Sequence, residues 1–402
     1  MEQRRAHERE LFEEYHDALC AHGMRGFAAA DCWREYRRLA FGGVLMAIVA
    51  SMLVQRTERG DEMFMAMLQR HCQQALDLDS EALLEDPAAA RPAARRPSAG
   101  DEGSHARGSE QLWNESWYFD VVAPDGGLGA YVRFGLYPNL DRCWYTAFVC
   151  RPGRPPVAAL DFAAPLPAPG GLELRTPTLR AEHRCAEPLE RFGVSLQARA
   201  HAYEDPAALL RGAARGIPVP LGLELEWETA GIPYAYRLAT RYEIPCVVAG
   251  QIRLGDELFE LSGAPGQRDH SWGVRDWWSM DWVWSAVHLD DGTHVHAVEL
   301  RLPAAPALGV GYVQSAGGEL AELERVSARE QIGADGLIAR AELSLDPPGL
   351  ELDIEPLAFG PLRLLSPDGR VSHFPRAMCG VRCRDGRRGV GWVEWNLNQG
   401  PR

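Results

Sequence analysis

From Gln111 to the end of the chain, apolar and polar residues alternate in short runs. Leu221, Leu223, Leu225 and Trp227 are separated by Gly222, Glu224 and Glu226, and Leu350, Leu352 and Ile354 by Glu351 and Asp353. A period of two sends successive side chains to opposite faces of a strand, so each run specifies one buried and one wet face. Turn-forming clusters cut the runs at short intervals: Pro124-Asp125-Gly126-Gly127, Asp290-Asp291-Gly292, Ala334-Asp335-Gly336, Pro367-Asp368-Gly369 and Asp385-Gly386. Hairpins rather than helical crossovers follow, and with them a mainly β, antiparallel sandwich or barrel. The region is long for one small barrel, so two barrel-like halves are expected, 112–250 and 251–402.

Residues 1–84 obey a different period. Leu11, Tyr15 and Leu19 recur every four residues, Asp31 is placed to cap the segment through Trp33 and Tyr36, and Met63, Phe64, Met67 and Leu68 share one helical face after Asp61. A small all-α segment is expected. Leu39–Val54 is apolar except for Ser51 but only 16 residues long, with Gly42 and Gly43 inside it. A bilayer needs about 20 residues, so the segment reads as a buried helix and the protein as not integral to a membrane. Residues 85–111, rich in Ala, Pro, Arg, Gly and Ser, read as a disordered linker with too few apolar side chains to offset ordering entropy.

Charge and cysteine usage narrow the classes. With 42 basic against 56 acidic residues and a net charge of −14, a phosphate backbone would be repelled, so nucleic acid is not an expected partner. Nine cysteines without a Cys-x-x-Cys pair suit a reducing cytoplasm, and the charged start lacks the apolar stretch of a secretory signal.

Chemistry concentrates in one window. Gly266–Trp284 holds Trp272, Trp277, Trp278, Trp282 and Trp284, five of the twelve tryptophans, with Arg268, Asp269, His270, Arg275, Asp276 and Asp281. Indole faces make an apolar wall attractive to cations, and a carboxyl held against such a wall has its pKa raised. Asp269 is therefore the candidate general acid, His270 its orienting or relay partner, and Arg268, Trp272, Arg275, Trp277 and Trp282 the candidate substrate-binding residues. Asp269 and His270 read as lying in a Gly-rich turn. The plainer alternative is a tryptophan-lined core in which Arg268 or Arg275 pairs with Asp269 or Asp276.

Gly391–Asn396 reads as a strand with Trp392, Glu394 and Asn396 on one face. Trp392 joins the substrate wall, and Glu394 could position water or orient Asp269; otherwise it is an edge-strand charge. His288, His294 and His296 would suit zinc by residue type, but no cysteine or carboxylate spacing accompanies them, so neither metal nor cofactor is expected. Gly-x-Ser-x-Gly, Gly-x-x-x-x-Gly-Lys and His-Glu-x-x-His are absent.

Two resemblances add to this reading. Asp31-Cys32-Trp33-Arg34-Glu35-Tyr36-Arg37, the apolar helix and Arg59-Gly60-Asp61-Glu62-Met63-Phe64 resemble the C-terminal helices of aminoglycoside-phosphotransferase-like and ecdysteroid-kinase-like proteins. The catalytic-loop and metal-binding aspartates of those kinases have no counterpart before residue 31, so the resemblance implies at most an accessory partner of a phosphotransferase, not a working kinase. The run Gly266–Trp277, with Tyr242-Glu243-Ile244-Pro245-Cys246 and Gly391–Asn396, resembles an uncharacterised bacterial branch related to hydroxyneurosporene synthase (carotenoid hydratase) and AttH-like proteins.

That resemblance implies two lipocalin-like barrels side by side and an acid, here Asp269, that protonates an isoprenoid double bond, with Trp272 lining the same pocket. The resulting expectation is a cofactor-independent enzyme for a hydrophobic ligand (isoprenoid, steroid-like or fatty), working by hydration, cyclisation or isomerisation. The alternative from another class is a non-catalytic lipid carrier.

Overall fold

The computed structural model describes residues 2–22, 28–53, 57–83, 94–302 and 306–398. The chain divides into two compact units, Met1–Ala93 and Ala94–Arg402.

In the first unit, helices span Glu2–Ala21, Ala29–Arg38, Phe41–Leu53 and Glu58–Asp77. Thr57 caps the last of these by accepting a hydrogen bond from the Gly60 N–H, whereas Asp31 does not cap its helix and sits in the first turn, where a negative charge still suits the helix dipole. Phe12, Trp33 and Tyr36 form a ring cluster. The expected burial of the apolar helix is corrected. Leu45, Met46, Ile48 and Val49 are exposed and Ala47 is buried, because a helix apolar all round buries only the side its neighbours cover. No helix among the described residues is long and apolar enough to cross a membrane.

The second unit is built on two eleven-stranded antiparallel sheets. The first runs through Val157–Ala164, Arg142–Cys150, Gly129–Tyr137, Trp113–Val122, Glu257–Val274, Arg241–Leu254, Ile217–Thr229, Arg191–Ala202, Leu179–Glu187 and Glu173–Arg175, with the short Tyr234–Ala235 pairing on Arg241–Leu254, and closes where Val157 and Ala158 pair with Ala202 and His201. The second runs through Leu320–Glu322, Leu308–Gln314, His294–Arg301, Asp281–Leu289, Arg388–Asn398, Ala377–Cys383, Leu350–Phe359, Ile338–Asp346 and Arg325–Ile332, without ladder pairing between its end strands. A hairpin, Leu362–Leu365 with Val371–Phe374, joins the end of Arg388–Asn398. The architecture is a lipocalin-like double barrel.

The halves divide between Val274 and Asp281, not near residue 250. Gly255, at φ 58°, and Asp256 make a two-residue hairpin that folds Glu257–Val274 back onto Arg241–Leu254. The same strand pairs on its other side with Trp113–Val122, from Trp113↔Val274 to Val121↔Gly266. The stretch read as a Gly-rich turn is therefore strand interior. Gly266 marks a close approach instead: a Cβ there would lie 2.3 Å from the Asp120 carbonyl oxygen.

Residues 85–93 of the expected linker lie outside the described residues, but 94–111 are fixed against the first barrel as a strap. Ser98 and Asp101 form a capping box, the Ala235 N–H donates to Arg95 O, and Asn139 Nδ2 donates to Gly108 O and Glu110 O. Glu102 is buried and pairs with Arg268 at 2.7 Å. Hydrogen bonds and ion pairs anchor a segment whose composition offers little apolar surface.

Three large apolar clusters hold the unit together. One fills the first barrel around Trp117, Phe119, Phe134 and Trp227; one fills the second around Val283, Leu343 and Trp395. The third, with Tyr118, Tyr131, Trp284, Tyr312 and Trp392, lies between the barrels. Strand Trp113–Val122 contributes to two of them, Trp117, Phe119 and Val121 inward and Tyr118 and Val122 toward the second barrel, so it is buried along its whole length.

Candidate functional site

Strand Glu257–Val274 divides the conspicuous motif by parity. Gln267, Asp269 and Ser271 face the second barrel, while Arg268, His270 and Trp272 face the first. The face turned to the second barrel borders a cavity of about 80 Å³. Asp269 and Arg241 reach it from the first barrel with Tyr118, and Trp284, Arg376 and Glu394 from the second.

Asp269 is buried, and its Oδ2 accepts a hydrogen bond from Arg241 Nη2 at 2.6 Å. Arg241 also donates from Nε to Glu243 Oε1 at 2.7 Å, so one guanidinium bridges two carboxylates. Glu243 is fully buried and takes further hydrogen bonds from Gln267 Nε2 and Trp284 Nε1 at 3.0 and 3.2 Å. Burial pushes the Asp269 carboxyl up to about 7; Arg241 opposes this and the negative charge of Glu243 reinforces it. Nearby, Tyr118 Oη and the Gln267 N–H each donate to Asp120 at 2.9 Å, and burial raises that carboxyl well above the usual range.

The far wall is cationic and aromatic. Arg376 lies 4.4 Å from the Tyr131 ring and 4.7 Å from the Tyr118 ring, and it pairs with Glu394, which also accepts from Trp282 Nε1 at 3.1 Å. Arg133 stacks over Trp277 at 4.6 Å, and burial pulls the Arg275 guanidinium down to about 10, with Arg241 adding to the effect.

The sequence from residue 98 to 399 matches the family described as Domain of unknown function (DUF7064). The chain belongs to this family. No curated protein matches the sequence. Among solved structures, the DUF7064 chain is similar to an AttH-named protein from Nitrosomonas europaea, with 16% identity and TM-score 0.53 over 76% of this chain and 98% of that one. It is also similar to kievitone hydratase from Nectria haematococca, with 11% identity and TM-score 0.50 over 75% of this chain and 93% of that one. At these identities the likeness is one of fold. No comparison supports the phosphotransferase resemblance of residues 1–84, which the family match leaves outside.

The DUF7064 structure brings Asp269, Arg275, Trp277, Trp282 and Glu394 to one cavity. Trp392 is one layer back, edge-on to Tyr131 and donating from Nε1 to Val121 O. Arg268, His270 and Trp272 are corrections. His270 cannot serve as relay for Asp269, because neighbours on a strand point apart and its ring nitrogens face Asp101 O and Glu115 Oε1 at 2.8 and 3.0 Å. Glu394 engages Arg376 and Trp282 rather than Asp269, and its strand lies between two others, so it is not an edge charge. The ion pairs expected of Arg268 or Arg275 with Asp269 or Asp276 form with other partners: Arg241–Asp269 and Arg370–Asp276. The three histidines do not converge, since His288 and His294 meet at 2.9 Å while His296 turns to Ser285 O and Tyr236 Oη.

Arg241, Asp120, Tyr118 and Arg376 were not singled out by the sequence, and Glu243 entered only as part of the Tyr242–Cys246 run, with no role at the site. Arg241 and Glu243, two apart on a strand, were detectable as one charged face next to the family-like Tyr242–Cys246 run. Arg376, beside short strands with no strong period, carried no such signal.

Proposed function

We propose that this domain binds an apolar unsaturated molecule between its barrels and that Asp269 starts its conversion by protonating a double bond. The observation that carries the reading is a buried carboxyl, titrating near neutrality, in a cavity walled by Tyr118, Trp282 and Trp284. The proton passes from Asp269 to one alkene carbon, and the cation left on the other is stabilised by the neighbouring ring faces. Arg241 stabilises the resulting carboxylate. In hydration, water adds to the cation and its surplus proton returns to Asp269, regenerating the acid; transfer of a different proton from the cation to the Asp269 carboxylate instead completes an isomerisation. The name kievitone hydratase, on a protein of this fold, is in keeping with such chemistry.

Apolar side chains cluster inside each barrel, which supports assigning the ligand to the space between the barrels, where Asp269 lies. A cavity of about 80 Å³ is below the roughly 300–1,000 Å³ of a typical ligand site. It admits the reacting end of a molecule and a water, with the rest reaching out between the barrels.

Native mass spectrometry of freshly purified protein, followed by identification of the retained molecule, tests the reading. The retained molecule, or its dehydrated precursor, should turn over with the wild type, while Asp269→Asn binds it without turnover. Binding with no turnover by either protein makes the domain a carrier and defeats the proposal.

A further inference from the structure

On the face of Glu257–Val274 turned away from Asp269, three donor groups converge. Glu115 Oε1 lies 2.8 Å from His105 Nδ1 and 3.0 Å from His270 Nε2, and one donor atom of each residue lies within 4.8 Å of the others. The carboxylate comes from Trp113–Val122, one imidazole from the adjacent strand and the other from the strap that precedes the barrel. Glu115 and His270 are buried, whereas His105 is 22% exposed and leaves a route from solvent.

The geometry of His270 calls for a cation. Its Nδ1 is 2.8 Å from Asp101 O, and a carbonyl only accepts, so Nδ1 carries the hydrogen. In the neutral ring the Nε2 lone pair then points at a carboxylate oxygen 3.0 Å away, an arrangement that repels unless a proton or a metal ion lies between them. A carbonyl partner on the far ring nitrogen is also how metal-ligating histidines are oriented. The rings are held in place: His105 stacks on Trp272 with centroids 3.7 Å apart, and His270 on Trp117 at 4.3 Å.

We propose that His105, Glu115 and His270 bind a divalent first-row transition ion, for which two imidazoles and one carboxylate make zinc the best match. The ion ties the strap to two strands of the first barrel. It takes no part in the acid chemistry, because the strand separates it from Asp269.

The test uses the full chain, stripped with a chelator and titrated with Co²⁺ and then Zn²⁺. One ion per chain is expected by elemental analysis, with a cobalt ligand-field spectrum that zinc abolishes and slower proteolysis within residues 94–111 when metal is bound. His105→Ala and Glu115→Gln should lose both the ion and the protection, while His288→Ala on the second barrel keeps them. If a variant fails to fold, the wild-type titration still decides. The proposal is overturned if the folded wild type takes up no stoichiometric ion; nitrogen NMR of His270 then shows whether the proton that takes its place sits on the imidazole or on Glu115.

Discussion

Arg241 and burial act on Asp269 in opposite directions, and the balance favours burial. Because the folded-state pKa, about 7, lies above the ordinary value of about 3.9, the folded protein holds a proton between those limits that the unfolded chain releases. That contribution to stability is fully present below about pH 4 and is lost as pH rises through about 7. The urea midpoint of the wild type relative to Asp269→Asn should therefore fall between pH 5 and pH 8; a difference that stays level would show an unshifted carboxyl. Arg241→Gln removes the charge that lowers the folded-state pKa, so the fall should begin at the same pH and continue to higher pH. Asp269 was legible because an acid among five nearby tryptophans is chemically conspicuous. Its partner was not, since Arg241 lies 28 residues away in sequence and meets it only across a strand pair.

Individual strands differ in how plainly they announce themselves. Leu221–Trp227 shows its alternation because one face is wet, whereas Trp113–Val122 is buried on both faces and hides its period. Glu257–Val274 misled for a related reason: Gly266 serves close packing while Gly263 and Gly273 hold positive φ inside the strand, and a glycine count alone does not separate these from a turn. Gly266→Ala should cost about 1–3 kcal/mol by overpacking, because a Cβ meets the Asp120 backbone and Val248; chemical denaturation measures it. The strap offers a second check. Glu102→Gln leaves Arg268 buried with no carboxylate partner at 2.7 Å, and breaking such a pair costs about 3–5 kcal/mol. Its denaturation midpoint should drop accordingly, and cleavage within residues 94–111 should accelerate.

For the whole molecule, turn spacing and length were enough to indicate two barrels, but the seam was misplaced because the Gly255–Asp256 hairpin returns the chain to the sheet it has just left. A fragment ending at residue 250 lacks the strand that bridges Trp113–Val122 and Arg241–Leu254. It should fail to give a cooperative unfolding transition, whereas 94–402, a compact unit in its own right, should retain one. Calorimetry of both fragments distinguishes these outcomes.

The two-sided character of Glu257–Val274 also bears on how such a protein can diversify. Odd positions 267, 269 and 271 answer to whatever occupies the space between the barrels, and even positions 268, 270 and 272 to the strap. Under the proposed function, ligand contact and anchoring are thus written on alternate letters of one short word, so either can be revised without rewriting the other. Insertion or loss of a single letter would exchange the two messages.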